Sequence, residues 1–171
     1  WDGGTMRFVQ NSNLPEGPVR LCAVGERYGM LIAALEARGI ACLRVPEYPG
    51  LPAPVACHAD LQLCHLGGAR IAVAAGRGRE GLLEALRKRG FSVEAAGPLT
   101  PDYPGDVPLN CAVVGKVCIG GKDKIDKIIT NYCGEVGITL VPVNQGYAKC
   151  SVCAVDERSI ITQDPSIAQA A

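Results

Sequence analysis

The sequence predicts an α/β fold assembled from a repeated strand–strand–helix–strand unit, and three observations predict it. Helical stripes end at Gly39, Gly90 and Gly137, spaced 51 and 47 residues apart. Each of these glycines runs straight into a strand start, Gly39-Ile40, Gly90-Phe91 and Gly137-Ile138. A two-strand pattern broken by a glycine turn precedes the second and third helices. Near-constant periods of this size mark arrays, rings or propellers of like units. The competing reading is an ordinary α/β sandwich whose elements alternate without symmetry.

Residues 1–18 carry turn chemistry (Gly3-Gly4, Asn11, Asn13, Pro15, Gly17, Pro18), with at most a short strand at 6–9. A strand is expected at 19–24. A helix at 28–38 has Met30, Leu31, Ala34, Leu35 and Ala37 as its stripe. The strand at 40–45 is closed by Pro46. After a proline-rich loop, His58 and Asp60 stand two residues apart, which on an extended strand directs both side chains to one face. The run from Leu61 to Leu66 turns at Gly67-Gly68 and returns through Ile71-Ala72-Val73 as a hairpin.

A helix at 80–89 presents Leu82, Leu83 and Leu86, and a strand follows at 91–95. The second hairpin spans 109–119 about Gly115-Lys116. Its helix starts at Asp123 with Ile125, Ile128, Ile129 and Cys133 on one side, and its strand is 138–143. The third hairpin is 150–155 and 160–162, and Asp164-Pro165 opens a last helix as cap and first residue. The chain thus reads as a single domain with a partial unit at 19–46, units at about 55–96 and 108–143, and a truncated unit at 147–171.

Composition narrows the function. With 48% hydrophobic and 20% charged residues the chain is neither disordered nor fibrous. Lysine plus arginine and aspartate plus glutamate number 17 each, and aromatic content is 5% and scattered, which speaks against a nucleic-acid partner. No apolar run reaches the roughly 18–20 residues of a membrane span, and no secretory leader is visible, so no membrane partner is expected. Nine cysteines, an odd number set mostly in apolar runs such as those of Cys22, Cys42, Cys111 and Cys118, read as buried thiols of a reducing, cytoplasmic protein.

Cys150-x-x-Cys153 has no second pair to complete a zinc site and sits in an expected strand rather than at a helix start, so neither metal nor redox cofactor is expected. Residues 115–123 depart from a phosphate loop by an extra residue before Lys122 and by Asp123 where a hydroxyl should stand. His65 reads as a surface or satisfied core histidine, and Lys122, Lys124 and Lys127 as a solvated helix face.

A repeated ββαβ unit with a His-x-Asp start resembles the pentein superfamily of guanidino-group-modifying enzymes. Four blocks carry the likeness over about 54–171: the stretch from His58 to His65, Tyr103-Pro104-Gly105-Asp106-Val107-Pro108-Leu109-Asn110, the run from Asn144 through Cys153, and Ser159 to Asp164. They are most similar to an uncharacterised bacterial branch of that fold. The resemblance implies an α/β propeller with its site in the central channel, of which this chain is an incomplete ring. It implies chemistry on a guanidino or amidine C–N bond by a cysteine thiolate, a histidine acid/base and a carboxylate.

Carried onto this chain, His58 becomes the acid/base and Asp60 the guanidinium-binding carboxylate, with Lys149 and Asn110 as further substrate-binding residues. The nucleophile is open: it lies outside these residues, or Cys150 fills the place, or the chain has none. Aligning the third hairpin on the first sets Lys149 opposite Asp60 and puts Cys150 close to the channel but on the alternate face, where it reads as a buried thiol rather than as the nucleophile. The expected ligand is a small cationic guanidino or amidine compound. A non-catalytic pentein used as a binding platform is the alternative.

Overall fold

The computed structural model describes residues 7–171, so the expected strand at 6–9 lies partly outside the described residues. The described part of it is irregular, and Val9 O accepts from Gly68 N at 2.9 Å. Among the described residues the architecture is mixed α/β, with small sheets and five α-helices.

The first sheet pairs β1 (Leu21–Gly25) with β2 (Ala41–Val45) in parallel across the helix α1 (Gly29–Glu36). A one-turn helix α2 (Ala59–Gln62) leads into β3 (Leu63–Gly67), which pairs antiparallel with β4 (Arg70–Ala75). The chain crosses through α3 (Glu80–Lys88) to β5 (Ser92–Pro98), parallel to β4. The same order recurs in β6 (Ala112–Val114), β7 (Val117–Gly121), α4 (Lys127–Val136) and β8 (Thr139–Val143), again antiparallel then parallel. A short antiparallel pair, β9 (Cys153–Ala154) and β10 (Ile160–Ile161), then precedes α5 (Pro165–Ala170).

Local chemistry sets these boundaries. The middle strands β4 and β7 are nearly continuous apolar runs because each is covered on both faces. Asp126 caps α4 by accepting from Ile128 N at 2.8 Å, and Gly137 ends it at φ 71°. The expected start at Asp123 is corrected, since Asp123 has φ 58° and cannot open a helix; Lys122 and Lys124 therefore precede α4 rather than line it. In α5, Asp164 Oδ1 accepts from Ser166 N at 2.9 Å and Ile167 N at 3.0 Å, with Pro165 opening the helix as expected.

The core is divided where successive units meet. Leu43 and Val45 pack with Leu63, Val73, Leu82 and Leu86. Cys64, Leu66 and Ala72 pack with Leu109, Val113, Ile129 and Cys133. Ala112, Ile119 and Val143 pack with Ala148 and Ile167. Each of these clusters joins residues of one unit to residues of the next.

Burial of the cysteines is only partly as expected. Cys57, Cys64, Cys111, Cys118 and Cys133 are buried, Cys22 and Cys42 half-buried, and Cys150 and Cys153 exposed. Cys64 and Cys111 touch at 3.7 Å between sulfurs. The Cys64 thiol is held well above the ordinary range, first by its hydrogen bond with Cys111 and then by burial. Cys111 is also raised, first by its hydrogen bond with Cys118. A raised pKa in the folded state stabilises below the unfolded thiol's pKa and is lost as pH rises past it. The melting temperature is therefore expected to fall as pH rises above about 9, and less steeply in a Cys64→Ala/Cys111→Ala variant. Parallel curves for the two proteins would rule these thiols out as the cause.

Candidate functional site

The turn that carries His58 and Asp60 is built from inside. Gln62 is 0% exposed; its Nε2 donates to Ala56 O at 2.7 Å and Pro46 O at 3.1 Å. Its Oε1 accepts from Nη1 of Arg79, a residue 2% exposed that stands over the Tyr48 ring at 5.5 Å. His58 N donates to Val55 O at 2.9 Å and Leu61 N to His58 O at 3.3 Å, which winds the chain into α2. The expectation of an extended strand through 58–60 is thus corrected: His58 is the N-cap of a helical turn and Asp60 lies within it. The polar anchor Gln62 decides this, because it must turn inward to meet its three partners. The His58 ring faces Tyr28, with 6.5 Å between ring centres.

Asn110 joins three segments. It is 1% exposed and follows a turn in which its own N–H donates to Val107 O at 2.9 Å. Its Nδ2 donates to Asp60 Oδ2 at 3.0 Å, Asp60 O at 3.3 Å and Cys150 Sγ at 3.3 Å. Its Oδ1 accepts from Lys149 N at 2.9 Å and Cys150 N at 3.4 Å. The amide thus ties Asp60 to the turn that carries Lys149 and Cys150.

Cys150 closes the cluster, its Sγ donating to Asp60 Oδ2 at 2.7 Å. It lies in a 3-10 turn (Lys149–Ser151) ahead of β9, not within a strand. That overturns its expected placement on the alternate face as a buried thiol, because the turn swings the side chain towards Asp60. The thiol is pushed up to about 12, first by desolvation and then by its hydrogen bond to Asp60 and that carboxylate's charge. Asn110 and the Lys149 ammonium pull it the other way. The same ammonium also pulls down the thiols of Cys22, Cys64 and Cys111, against larger opposing causes.

Two open grooves flank the cluster. One, of about 300 Å³, includes Lys149, Asn13, Val113 and Val152 in its lining. The other runs along Cys150, Cys153, Ile161 and Thr162. Among the described residues, no group of three or more histidines, cysteines or acids is arranged to hold a metal ion.

Asp60, Asn110, Lys149 and Cys150 are thus brought together, while His58 shares the turn of Asp60 with its ring towards Tyr28. His65 is half-buried at the hairpin, with Nε2 2.8 Å from Gly68 O, as expected of a satisfied histidine. Sequence reasoning missed the supports Gln62, Arg79, Asp106 and Tyr147. A glutamine between Leu61 and Leu63 was the available signal for the first pair.

The fold and the cluster define a class: a mixed α/β protein of ββαβ units that gathers an acid, an amide and a thiol from the starts of three of them. The chain belongs to the Family of unknown function (DUF6873), whose model matches residues 23–171. No curated protein and no solved structure matches it.

Proposed function

We propose that this chain is a pentein-type α/β propeller module of the guanidino-group-modifying kind, and that the Asp60–Asn110–Cys150 cluster acts on a guanidino or amidine C–N bond. One observation carries the reading. Asp60, Asn110 and Cys150, up to 90 residues apart, sit just ahead of the first strands β3, β6 and β9 of successive units and meet at hydrogen-bonding distance. A ring of such units aims equivalent positions at its axis, and cores shared between neighbouring units suit that arrangement.

The chemistry follows from charge. Asp60 offers a carboxylate to a planar cation. A guanidinium against it cancels the charge that suppresses the Cys150 thiol, so ligand binding itself favours the thiolate. The thiolate adds to the guanidinium carbon, and the leaving amine departs with a proton relayed by His58. Water then cleaves the S-linked intermediate to a ureido product and restores the thiol. Lys149 offers a positive charge to an anionic part of the ligand.

A second reading, a binding platform without turnover, draws support from the high pKa of the resting Cys150 thiol. A cationic haloacetamidine decides between them. The enzyme reading expects fast alkylation at Cys150, protection by guanidino compounds, and ureido product or ammonia from a substrate panel, lost in His58→Ala. Protection without any product leaves the platform; neither protection nor product sinks both.

A further inference from the structure

Tyr147 stands three residues before Cys150, and its hydroxyl donates to Asp106 Oδ2. Asp106 is 4% exposed, and its other oxygen, Oδ1, is buried without a partner. The Tyr147 hydroxyl is therefore the one hydrogen-bond donor this buried carboxylate has among the described residues. Losing it would leave the acid bare in an apolar setting, a costly state that ties the two together. The pair links the loop that ends in Asn110 to the loop that ends in Cys150.

Other contacts tighten the same segment. Tyr147 N donates to Gln145 Oε1 at 2.9 Å, and Gln145 Nε2 donates to Asp164 Oδ2, the α5 cap, at 2.9 Å. Ser151 Oγ donates to Tyr147 O at 3.0 Å. The Tyr103 ring stacks on Tyr147 at 6.2 Å and presses on Gly146, where a Cβ would come within 2.6 Å of that ring. Tyr147 titrates high, pushed up to about 12 first by the Asp106 bond, and the Cys150 thiol adds to the shift.

We propose that Tyr147 and Asp106 form a clamp that positions Cys150 against Asp60, with Tyr103 as its outer plate. The clamp touches no ligand: it fixes where the 3-10 turn begins and so where the sulfur points. The inference rests on the reading of Cys150 as the working thiol of the cluster. Its test needs no turnover.

The experiment reads the alkylation rate of Cys150 by neutral iodoacetamide at pH 8, by mass spectrometry of the peptide, in a Cys153→Ser background. Tyr147→Phe should release the sulfur from Asp60 and raise the rate at least about fivefold, since thiolate drives the reaction. Asp106→Asn keeps an acceptor for the Tyr147 hydroxyl and should stay within about twofold of the parent. Tyr103→Leu, at a ring 51% exposed, should accelerate the reaction more weakly. It decides the matter if Tyr147→Phe fails to fold, an unchanged rate then counting against the clamp.

Asp60→Asn serves as the reference. If it accelerates alkylation and Tyr147→Phe does not, the clamp is wrong and the site stands. If neither does, the cluster and the clamp fall together. Asp106→Asn reacting as fast as Tyr147→Phe would also overturn the clamp, because charge rather than the shared hydrogen bond would then be holding the loop.

Discussion

Asp60→Asn is expected to invert the reagent preference of Cys150. In the parent, a thiol at about 12 leaves little thiolate at pH 8, and a neutral alkylating reagent reacts slowly. Removing the carboxylate takes away both the anionic acceptor and the repelling charge. Desolvation persists, so the pKa falls only part of the way to its ordinary 9.0. Each unit of that fall is tenfold more thiolate, and the neutral reagent should react at least about tenfold faster at pH 8.

A cationic haloacetamidine should behave in the opposite sense. In the parent it docks on Asp60 and relieves the suppression as it binds; in Asp60→Asn that docking is gone. Parallel changes with both reagents would mean that Asp60 does not act as a cation receptor. The ratio of the two rates is insensitive to a general loosening of the fold, which speeds both.

Gln62→Leu carries the largest expected cost in stability. It strips one donor each from Pro46 O and Ala56 O and leaves the Arg79 guanidinium, whose Nε and Nη2 lack partners among the described residues, without a side-chain hydrogen bond there. A buried cation deprived of its hydrogen bond and left only the Tyr48 ring costs several kcal/mol, and we expect about 3–4 kcal/mol in urea denaturation. Arg79→Met should cost less, about 1–2 kcal/mol, because it removes the charge and leaves one amide oxygen unpaired. The double variant should be more stable than Gln62→Leu alone. An additive cycle would show that Gln62 and Arg79 act independently.

Much of the element order is legible in the sequence. The glycines at 39, 90 and 137 close helical segments, and Gly115-Lys116 makes the tight turn between β6 and β7. Asp164-Pro165 opens α5 where the capping chemistry put it. These are local signals, in which one or two residues fix a backbone conformation by their own sterics or hydrogen bonds. What misled was also local. Alternation through His58 and Asp60 suggested a strand, and the hairpin around Cys150 suggested another, yet both segments are single turns.

The reason lies at a distance. Gln62 winds the first turn by reaching Pro46, Ala56 and Arg79, and Asn110 holds the second through the N–H groups of Lys149 and Cys150. The site residues were individually visible as an acid, an amide, a lysine and a thiol. Their hydrogen-bond partners were not, since they come from residues 40 and 50 positions away from Asn110.

By itself, then, the sequence determined the repeating order of strands and helices, because backbone propensity and periodicity are written in neighbouring residues. Only the tertiary structure decided that Asp60, Asn110 and Cys150 share hydrogen bonds, and that desolvation together with a carboxylate 2.7 Å away raises the Cys150 thiol above its ordinary range. Electrostatic suppression of that kind depends on distance in space and on desolvation, and neither is a property of spacing along the chain.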